Sequence, residues 1–83
     1  MVKEVEYLGN VYKVPVWVNY LAKEAVDNYV SIIGFRVEPY FDSELGEWCI
    51  GQDYELGINC TLVHEYDSSL ESKEEFPNSL RGV

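Results

Sequence analysis

The chain has 83 residues and a formal net charge of −9 at pH 7, and hydrophobic residues make up 47% of it. This length predicts one small domain, and this hydrophobic content argues against a disordered chain. No run of about 18 apolar residues is present, which excludes a membrane-spanning helix, and the polar first ten residues do not indicate export.

The start of the chain predicts a β-hairpin. Two runs at 2–8 and 10–14 flank Gly9 and Asn10, two residue types that tolerate the positive φ of tight turns. Pro15 ends the second strand or places it at the edge of a sheet, because proline cannot donate a ladder hydrogen bond.

The next part of the chain, residues 16–29, is ambiguous, since a helical stripe and strand alternation fit it equally well. We expect a strand to about Ala22 and then a turn region that includes Asp27 and Asn28, with a short helix as the alternative. Residues 29–38 predict a strand more clearly.

Gly34 lies within that second strand. A glycine inside a strand indicates a bend, a bulge or a close approach of another part of the protein. Pro39 then closes the strand. Residues 40–46 predict a loop, and residues 47–50 predict a short strand that ends at Gly51.

The clearest periodicity lies at residues 54–66. Every second residue from Tyr54 to Tyr66 is apolar, aromatic or histidine. This alternation is typical of a half-buried strand in an antiparallel sheet, with Gly57 as the point where it could be interrupted.

A helix of at most two turns is predicted near the end of the chain. Ser68 and Glu71 have the spacing of a capping box. Phe76 and Pro77 would stop the helix, and contacts from Leu70 or Phe76 would be needed to hold it. All elements together predict an all-β fold, a small antiparallel sheet or curled meander of five or six strands, with at most one short helix.

No motif for catalysis or cofactor binding is recognisable in the chain. His64, the one histidine, falls on the apolar face of the predicted strand, so we expect a partly buried structural residue. Cys60 would share that face at about 13 Å, too far for a catalytic dyad. We expect Cys60 in the core and both cysteines as thiols, with a Cys49–Cys60 disulfide as the alternative. We therefore expect no enzyme, no cofactor and no metal site.

The negative charge is concentrated in one part of the chain. Residues 1–37 carry four acidic and four basic side chains, whereas residues 38–75, the acidic segment, carry eleven acidic side chains and one basic side chain. This charge repels nucleic acid and anionic membranes and attracts basic surfaces. Solubility alone is one explanation. The other is a partner-binding surface formed by the acidic set: Glu38, Asp42, Glu44, Glu47, Asp53, Glu55, Glu65, Asp67, Glu71, Glu74 and Glu75.

Four short motifs are spread over the chain: VPVWVNYLA at 14–22, VEPYFD at 37–42, GEW at 46–48 and FPNSLRGV at 76–83. In these motifs the chain resembles a recurring type of small phage-encoded protein, although residues 23–28 are longer than the Asp-x-Asp-Gly turn of that type. The resemblance brings no catalytic residues and implies a phage or prophage protein made inside a bacterium. The matching residues are Val14, Pro15, Trp17, Leu21, Ala22, Glu38, Pro39, Trp48, Phe76, Ser79 and Leu80.

Charge and resemblance together lead to one leading hypothesis. The chain is expected to be a non-enzymatic phage protein that binds and inhibits a host protein with a basic, nucleic-acid-binding surface in the bacterial cytoplasm. An anti-CRISPR or anti-restriction inhibitor that mimics DNA is the concrete form. The alternatives are a small-molecule- or metal-binding module, and an accessory or structural protein that self-associates at the first hairpin through Tyr7, Tyr12, Trp17 and Tyr20.

Overall fold

Antiparallel β-strands account for most of the structure, a computed structural model that describes residues 1–67 and 71–83. The predicted all-β fold class is confirmed, with eight strands in these residues where five or six were expected, together with one short α-helix and one 3₁₀ helix. The elements are β1 (Val2–Tyr7), β2 (Asn10–Pro15), β3 (Tyr20–Val26), β4 (Tyr29–Phe35), β5 (Tyr40–Asp42), β6 (Glu47–Cys49), α1 (Leu56–Asn59), β7 (Cys60–Asp67), the 3₁₀ helix (Lys73–Asn78) and β8 (Arg81–Gly82).

The centre of the fold is a four-stranded antiparallel sheet in the order β7-β4-β3-β8. Successive residues of β3 face opposite sides of this sheet, so Leu21 and Lys23 face one side while Ala22 and Glu24 face the other. A separate hairpin covers each side, and each hairpin shares a hydrophobic cluster with the sheet. The two layers are called the β1–β2 side and the β5–β6 side below.

On the β1–β2 side, the first hairpin packs through Tyr7 and Val14 against Leu21 and Ile32. Tyr7 is only 1% exposed, and its hydroxyl donates a hydrogen bond to the carbonyl of Ser79 at 2.7 Å. That hydrogen bond ties the C-terminal segment to the same side, because it joins β1 to the residue that follows the 3₁₀ helix.

The predicted first hairpin is confirmed, but its turn lies one residue earlier than expected. Tyr7 pairs with Asn10, so the two central turn residues are Leu8 and Gly9, with φ of 48° and 86°. Two positive φ values are characteristic of the tight turns that match strand twist. Leucine is uncommon in this conformation, and sequence propensity therefore favoured Gly9 and Asn10.

On the β5–β6 side, Trp48 and Ile50 pack against Ala22 and Phe35. The Trp48 indole N–H donates to the carbonyl of Lys23 at 2.9 Å, which fixes the ring on the sheet. The predicted strand at 47–50 is confirmed as β6, whereas the loop expected before it contains a further strand, β5. Three residues were too few to show a period of two.

The ambiguous segment after the first hairpin is a strand and a turn. β3 continues to Val26, four residues beyond the predicted end at Ala22, and none of it is helical. The expected turn at Asp27 and Asn28 is confirmed, with Asp27 at a φ of 53°. Lys23 and Glu24 made this part of the strand hard to recognise in the sequence. Their side chains face opposite sides of the sheet, and both sides are covered by a hairpin.

Gly34 marks a close approach, one of the three alternatives drawn from the sequence. A Cβ atom at this position would lie 3.0 Å from both γ carbons of Val18 and 3.3 Å from Val63. The bulge in this part of the sheet belongs to β7, because Ile32 pairs with His64 and Ile33 pairs with Leu62. The missing side chain thus makes room for two core valines.

The prediction of one strand over residues 54–66 is wrong in its first half. Residues 51–55 form turns, α1 follows, and β7 begins only at Cys60. The side chain of Asn59 donates to the carbonyl of Glu55 at 2.7 Å and is buried. This hydrogen bond closes a helical turn in a sequence whose apolar residues happen to alternate.

The bulge at Val63 also overturns the predicted faces of β7. Val63 joins the core on the β1–β2 side, while Leu62 is 58% exposed. His64 is exposed rather than partly buried, with its ring centroid 5.9 Å from that of Tyr12 and 5.8 Å from that of Tyr66. One inserted residue switches the side of every residue beyond it, which a period count cannot detect.

The short helix predicted near the end of the chain is a 3₁₀ helix at Lys73–Asn78. Ser72 caps it by accepting the backbone N–H of Glu74, and Pro77 lies inside it instead of stopping it. Phe76 is buried, as the prediction required. The predicted cap at Ser68 lies outside the described residues.

Candidate functional site

The structure does not gather the whole acidic set on one side of the central sheet, because Glu65 projects from the β5–β6 side whereas Glu71 lies on the β1–β2 side. Nine of its eleven members are exposed, and Asp42 and Glu71 are half-buried. Asp42, Glu44 and Glu47 belong to the β5–β6 hairpin, and Asp53 and Glu55 lie in the loop that follows it. The other members are Glu38 before β5, Glu65 and Asp67 on β7, and three residues of the C-terminal segment, Glu71, Glu74 and Glu75.

The pairing of the strands places Glu65 and Asp67, the carboxylates of β7, on the β5–β6 side. Glu24 pairs with Ser31 and Ser31 pairs with Glu65, so these three side chains project from the same face as Ala22. Asp67 lies two residues after Glu65, pairs with Tyr29 and projects from the same face. The β5–β6 hairpin and β7 therefore contribute carboxylates to one side.

The turn of the β5–β6 hairpin uses one of its own carboxylates. Asp42 accepts hydrogen bonds from the backbone N–H groups of Glu44 and Leu45 at 2.9 and 3.1 Å. Gly46, at a φ of 70°, closes the turn by donating to the carbonyl of Asp42 at 2.7 Å. Asp42 thus shapes the turn, while Glu44 and Glu47 extend into solvent from a fixed backbone.

A buried carboxylate, Glu24, lies beneath this hairpin and was absent from the acidic set. It is 7% exposed and accepts a hydrogen bond from the backbone N–H of Trp48. Burial raises the pKa of Glu24, the charge of Glu47 adds to the increase, and the Trp48 hydrogen bond opposes it. The alternation of Ala22, Glu24 and Val26 could have located Glu24, had residues 23–28 been read as strand.

Glu71 forms an ion pair within the molecule. Lys23 donates to it at 2.8 Å in an ion pair, and the hydroxyl of Tyr66 also donates to it. Burial alone would raise the pKa of Glu71, but the hydrogen bonds from Lys23 and Tyr66 and the charge of Lys23 outweigh burial and lower it. Glu71 therefore holds the C-terminal segment on the β1–β2 side.

A cleft of about 380 Å³ opens beside β6, called the β6 cleft. Two of its aromatic walls are accessible, since Tyr40 is 56% and Tyr54 is 48% exposed, and Leu56 at its edge is 64% exposed. Glu47 is the one charged residue among those that line it. The full lining consists of Tyr40, Glu47, Trp48, Cys49, Ile50, Gly51, Gln52, Tyr54 and Leu56.

Both cysteines are free and half-buried, so the alternative of a disulfide is not realised. Burial raises the pKa of Cys49, and the charges of Glu47, Asp42 and Glu24 raise it further. Burial, followed by the charge of Glu24, also raises the pKa of Cys60. Because the thiolate is the reactive form, neither thiol is activated as a nucleophile.

The first hairpin offers less surface for self-association than the sequence suggested. Tyr7 is a core residue, and Tyr12, Trp17 and Tyr20 are half-buried. The guanidinium of Arg36 lies 4.7 Å from the centre of the Trp17 ring and covers it. The predicted role of Tyr7 in an interface is therefore wrong, because the hairpin turns this side chain into the core.

Comparison with protein-family models, curated proteins and solved structures gives no significant match. The candidate site therefore stands on the geometry of its own residues. Within residues 1–67 and 71–83, no group of three or more His, Cys, Asp or Glu side chains could hold a metal ion. Neither helix in that part of the chain has the length and apolar character of a membrane-spanning segment.

Proposed function

We propose that this chain is a non-enzymatic acidic binding protein that occupies the basic, nucleic-acid-binding surface of a host protein. The observation that carries the proposal is the set of exposed carboxylates on the β5–β6 side. Glu44, Glu47, Glu65 and Asp67 are all exposed on that side, and residues 37–72 contain no Lys or Arg. The proposed binding surface is therefore negative, as a mimic of phosphates must be.

Rigidity supports the proposal as well as charge. The hairpin that carries Glu44 and Glu47 is anchored by the buried ring of Trp48, which packs edge to face on Phe41 at 5.3 Å. Side chains on a fixed backbone lose less entropy on binding than side chains on a flexible tail. Such a surface can attract a basic groove and oppose the entry of nucleic acid into it.

We propose in addition a phage origin and a place in the host bacterial cytoplasm, which the resemblance of the sequence motifs implies. In that setting the target would be a nuclease of CRISPR or restriction defence, or a transcription factor. These proteins hold nucleic acid through Lys and Arg contacts whose strength falls steeply with salt. Binding of this chain to such a target should fall with salt in the same way.

Affinity capture from bacterial lysate tests the proposal. The immobilised protein should retain a nucleic-acid-binding protein at low salt, and added DNA or RNA should release it. The double variant Glu47→Lys/Glu65→Lys should lose this partner. The matched control, Glu4→Lys/Glu6→Lys, makes the same change in charge at two exposed residues of β1 and should retain it. Loss of the partner in both variants, or in neither, contradicts the proposed surface.

A further inference from the structure

The β6 cleft combines accessible aromatic rings with one carboxylate. The ring of Tyr54 lies against Gly51, where a Cβ atom would come within 3.5 Å of the ring, and Tyr54 donates its backbone N–H to the Gly51 carbonyl at 3.0 Å. This turn holds one aromatic wall in place. Tyr40, paired with Cys49 across the hairpin, supplies the other accessible ring, and Glu47 supplies the charge.

The charged groups closest to the lining of the β6 cleft are carboxylates. Cys49 lines the cleft; burial raises the pKa of its thiol, and the charges of Glu47, Asp42 and Glu24 raise it further. Glu24 is buried and accepts a hydrogen bond from the backbone N–H of Trp48, another residue of the lining. A cation is the ligand that these charges and the faces of the rings both favour.

The lining of the β6 cleft, with accessible aromatic rings beside one carboxylate, favours a planar cation. A guanidinium group stacks on aromatic faces and binds a carboxylate through two parallel N–H groups, whereas an ammonium group is a strongly hydrated point charge. The same fold already contains one such contact, since the guanidinium of Arg36 lies 4.7 Å from the centre of the Trp17 ring.

We propose that the β6 cleft binds the side chain of an arginine from the partner protein, with Tyr40 and Tyr54 against the guanidinium plane and Glu47 as its carboxylate. This inference rests on the proposed function and names the group that the partner contributes. Nucleic-acid-binding surfaces are rich in arginine, so one anchoring arginine would add position and specificity to a contact that general charge attraction begins.

The test uses defined peptides and backbone amide NMR of the full chain. The probe is a short glycine peptide with blocked ends and a single arginine, compared with peptides that carry lysine or neutral citrulline at the same position. The arginine peptide should give saturable shift changes confined to Cys49, Gly51, Tyr54 and their neighbours. The lysine peptide should bind more weakly, and the citrulline peptide should not bind.

Variants with matched controls locate the contact. Tyr54→Ala and Glu47→Gln should each weaken the arginine peptide about two- to fivefold, the change expected for loss of one exposed cation–π contact or one surface ion pair. Their controls are Tyr29→Ala and Glu6→Gln, which change exposed residues outside the cleft lining and should leave affinity unchanged. Equal loss in a variant and its control contradicts the assignment, as do shift changes that spread over the acidic surface without saturation.

Failure of this inference is distinguishable from failure of the proposed function. Partner capture that depends on Glu47 and Glu65, combined with no arginine binding in the β6 cleft, overturns the cleft assignment alone. Specific arginine binding in the cleft, combined with no salt-sensitive partner from the host, overturns the proposed function and leaves the cleft as an arginine site.

Discussion

Each side of the central sheet is covered by a hairpin, but the two sides differ in how much of their aromatic and charged surface is exposed. On the β1–β2 side, Tyr7 is buried and bonded to Ser79, and Lys23 is paired with Glu71. On the β5–β6 side, Tyr40 and Tyr54 are about half exposed beside the carboxylate of Glu47. On the first side, these polar groups are bonded to one another within the molecule. The second leaves aromatic rings and charges available to another molecule, which is the expected distribution for a stable scaffold with one binding surface.

Lys23 shows how closely the two sides are joined. Its backbone N–H donates to the hydroxyl of Ser79 at 2.9 Å, and its side chain donates to Tyr66 at 2.9 Å and to Glu71 at 2.8 Å, all on the β1–β2 side. Its carbonyl accepts the indole N–H of Trp48 on the β5–β6 side. A single residue of β3 thus positions the C-terminal segment and the second hairpin together.

The largest expected difference between the sides is between two tyrosines. Tyr7→Ala removes a buried ring and should cost about 3–5 kcal/mol of unfolding free energy. Tyr40→Ala removes a ring that is 56% exposed and should change the unfolding free energy by no more than about 0.5–1 kcal/mol. Chemical denaturation of the two variants measures both values. Equal destabilisation by the two variants would contradict the distinction between a buried ring on the β1–β2 side and an exposed ring on the β5–β6 side.

The next largest loss of unfolding free energy is expected from substitutions at two glycines. Gly34→Ala places a Cβ atom 3.0 Å from the fully buried Val18 and should cost about 1–3 kcal/mol. Gly46→Ala meets nothing within 4 Å, so its cost should be only the backbone strain of a φ of 70°, about 1 kcal/mol. Thermal unfolding ranks the pair. A smaller loss for Gly34→Ala than for Gly46→Ala would show that the valine packing is loose.

Two glutamates should respond to pH with opposite signs. The lowered pKa of Glu71 means that its ionised form stabilises the fold above its ordinary pKa of 4.5, and that this is lost as pH falls through the lowered value. Glu71→Gln should therefore cost about 1–2 kcal/mol at pH 7 and little in acid.

The raised pKa of Glu24 gives the reverse. Its contribution to stability is complete below its ordinary pKa of 4.5 and is lost as pH rises through the raised value. Glu24→Gln should make the protein more stable than wild type at pH 7 and equal to it in acid. Unfolding curves at several pH values test both variants, and a shared sign at pH 7 would contradict this account of the two carboxylates.

The smallest expected effect on stability is at the exposed end of the β5–β6 hairpin. Glu44→Gln and Glu47→Gln should each change unfolding free energy by less than about 0.5 kcal/mol, because both side chains are exposed. Glu47→Gln should also reduce affinity for an arginine peptide. A stability loss well above that range in Glu47→Gln would show a structural role for the side chain, and its binding effect would then be no evidence for a site.

The sequence predicted the fold class, the first hairpin and the strand that begins at Tyr29, because turn residues and apolar runs determine those elements locally. The predicted end of that strand at residue 38 is wrong, since β4 ends at Phe35. The sequence did not predict where Tyr54 and Leu56 lie. Their alternation resembles a buried strand, yet the hydrogen bond between Asn59 and Glu55 favours a helical turn there. A hydrogen bond between side chain and backbone, once formed, outweighs a period of two in so short a segment.

The candidate site was only partly predictable for a related reason. Charge counting found Glu44, Glu47 and Glu65, but it could not separate them from Glu71, whose ion pair with Lys23 spans 48 residues of sequence. Contacts of this kind depend on tertiary structure, which leaves no trace in local composition. The β6 cleft is equally non-local, since its walls come from β5, β6 and the loop before α1.

Carboxylate footprinting of the complex with the captured partner tests the central claim most directly. Exposed carboxylates are coupled to an amine with carbodiimide, and labelling is compared by mass spectrometry with and without the partner. Glu44, Glu47 and Glu65 on the β5–β6 side should be protected, while Glu4 and Glu6 on β1 should be labelled as in the free protein. Protection of Glu4 and Glu6, with Glu47 and Glu65 fully labelled in the complex, would place the partner on the β1–β2 side and contradict that claim.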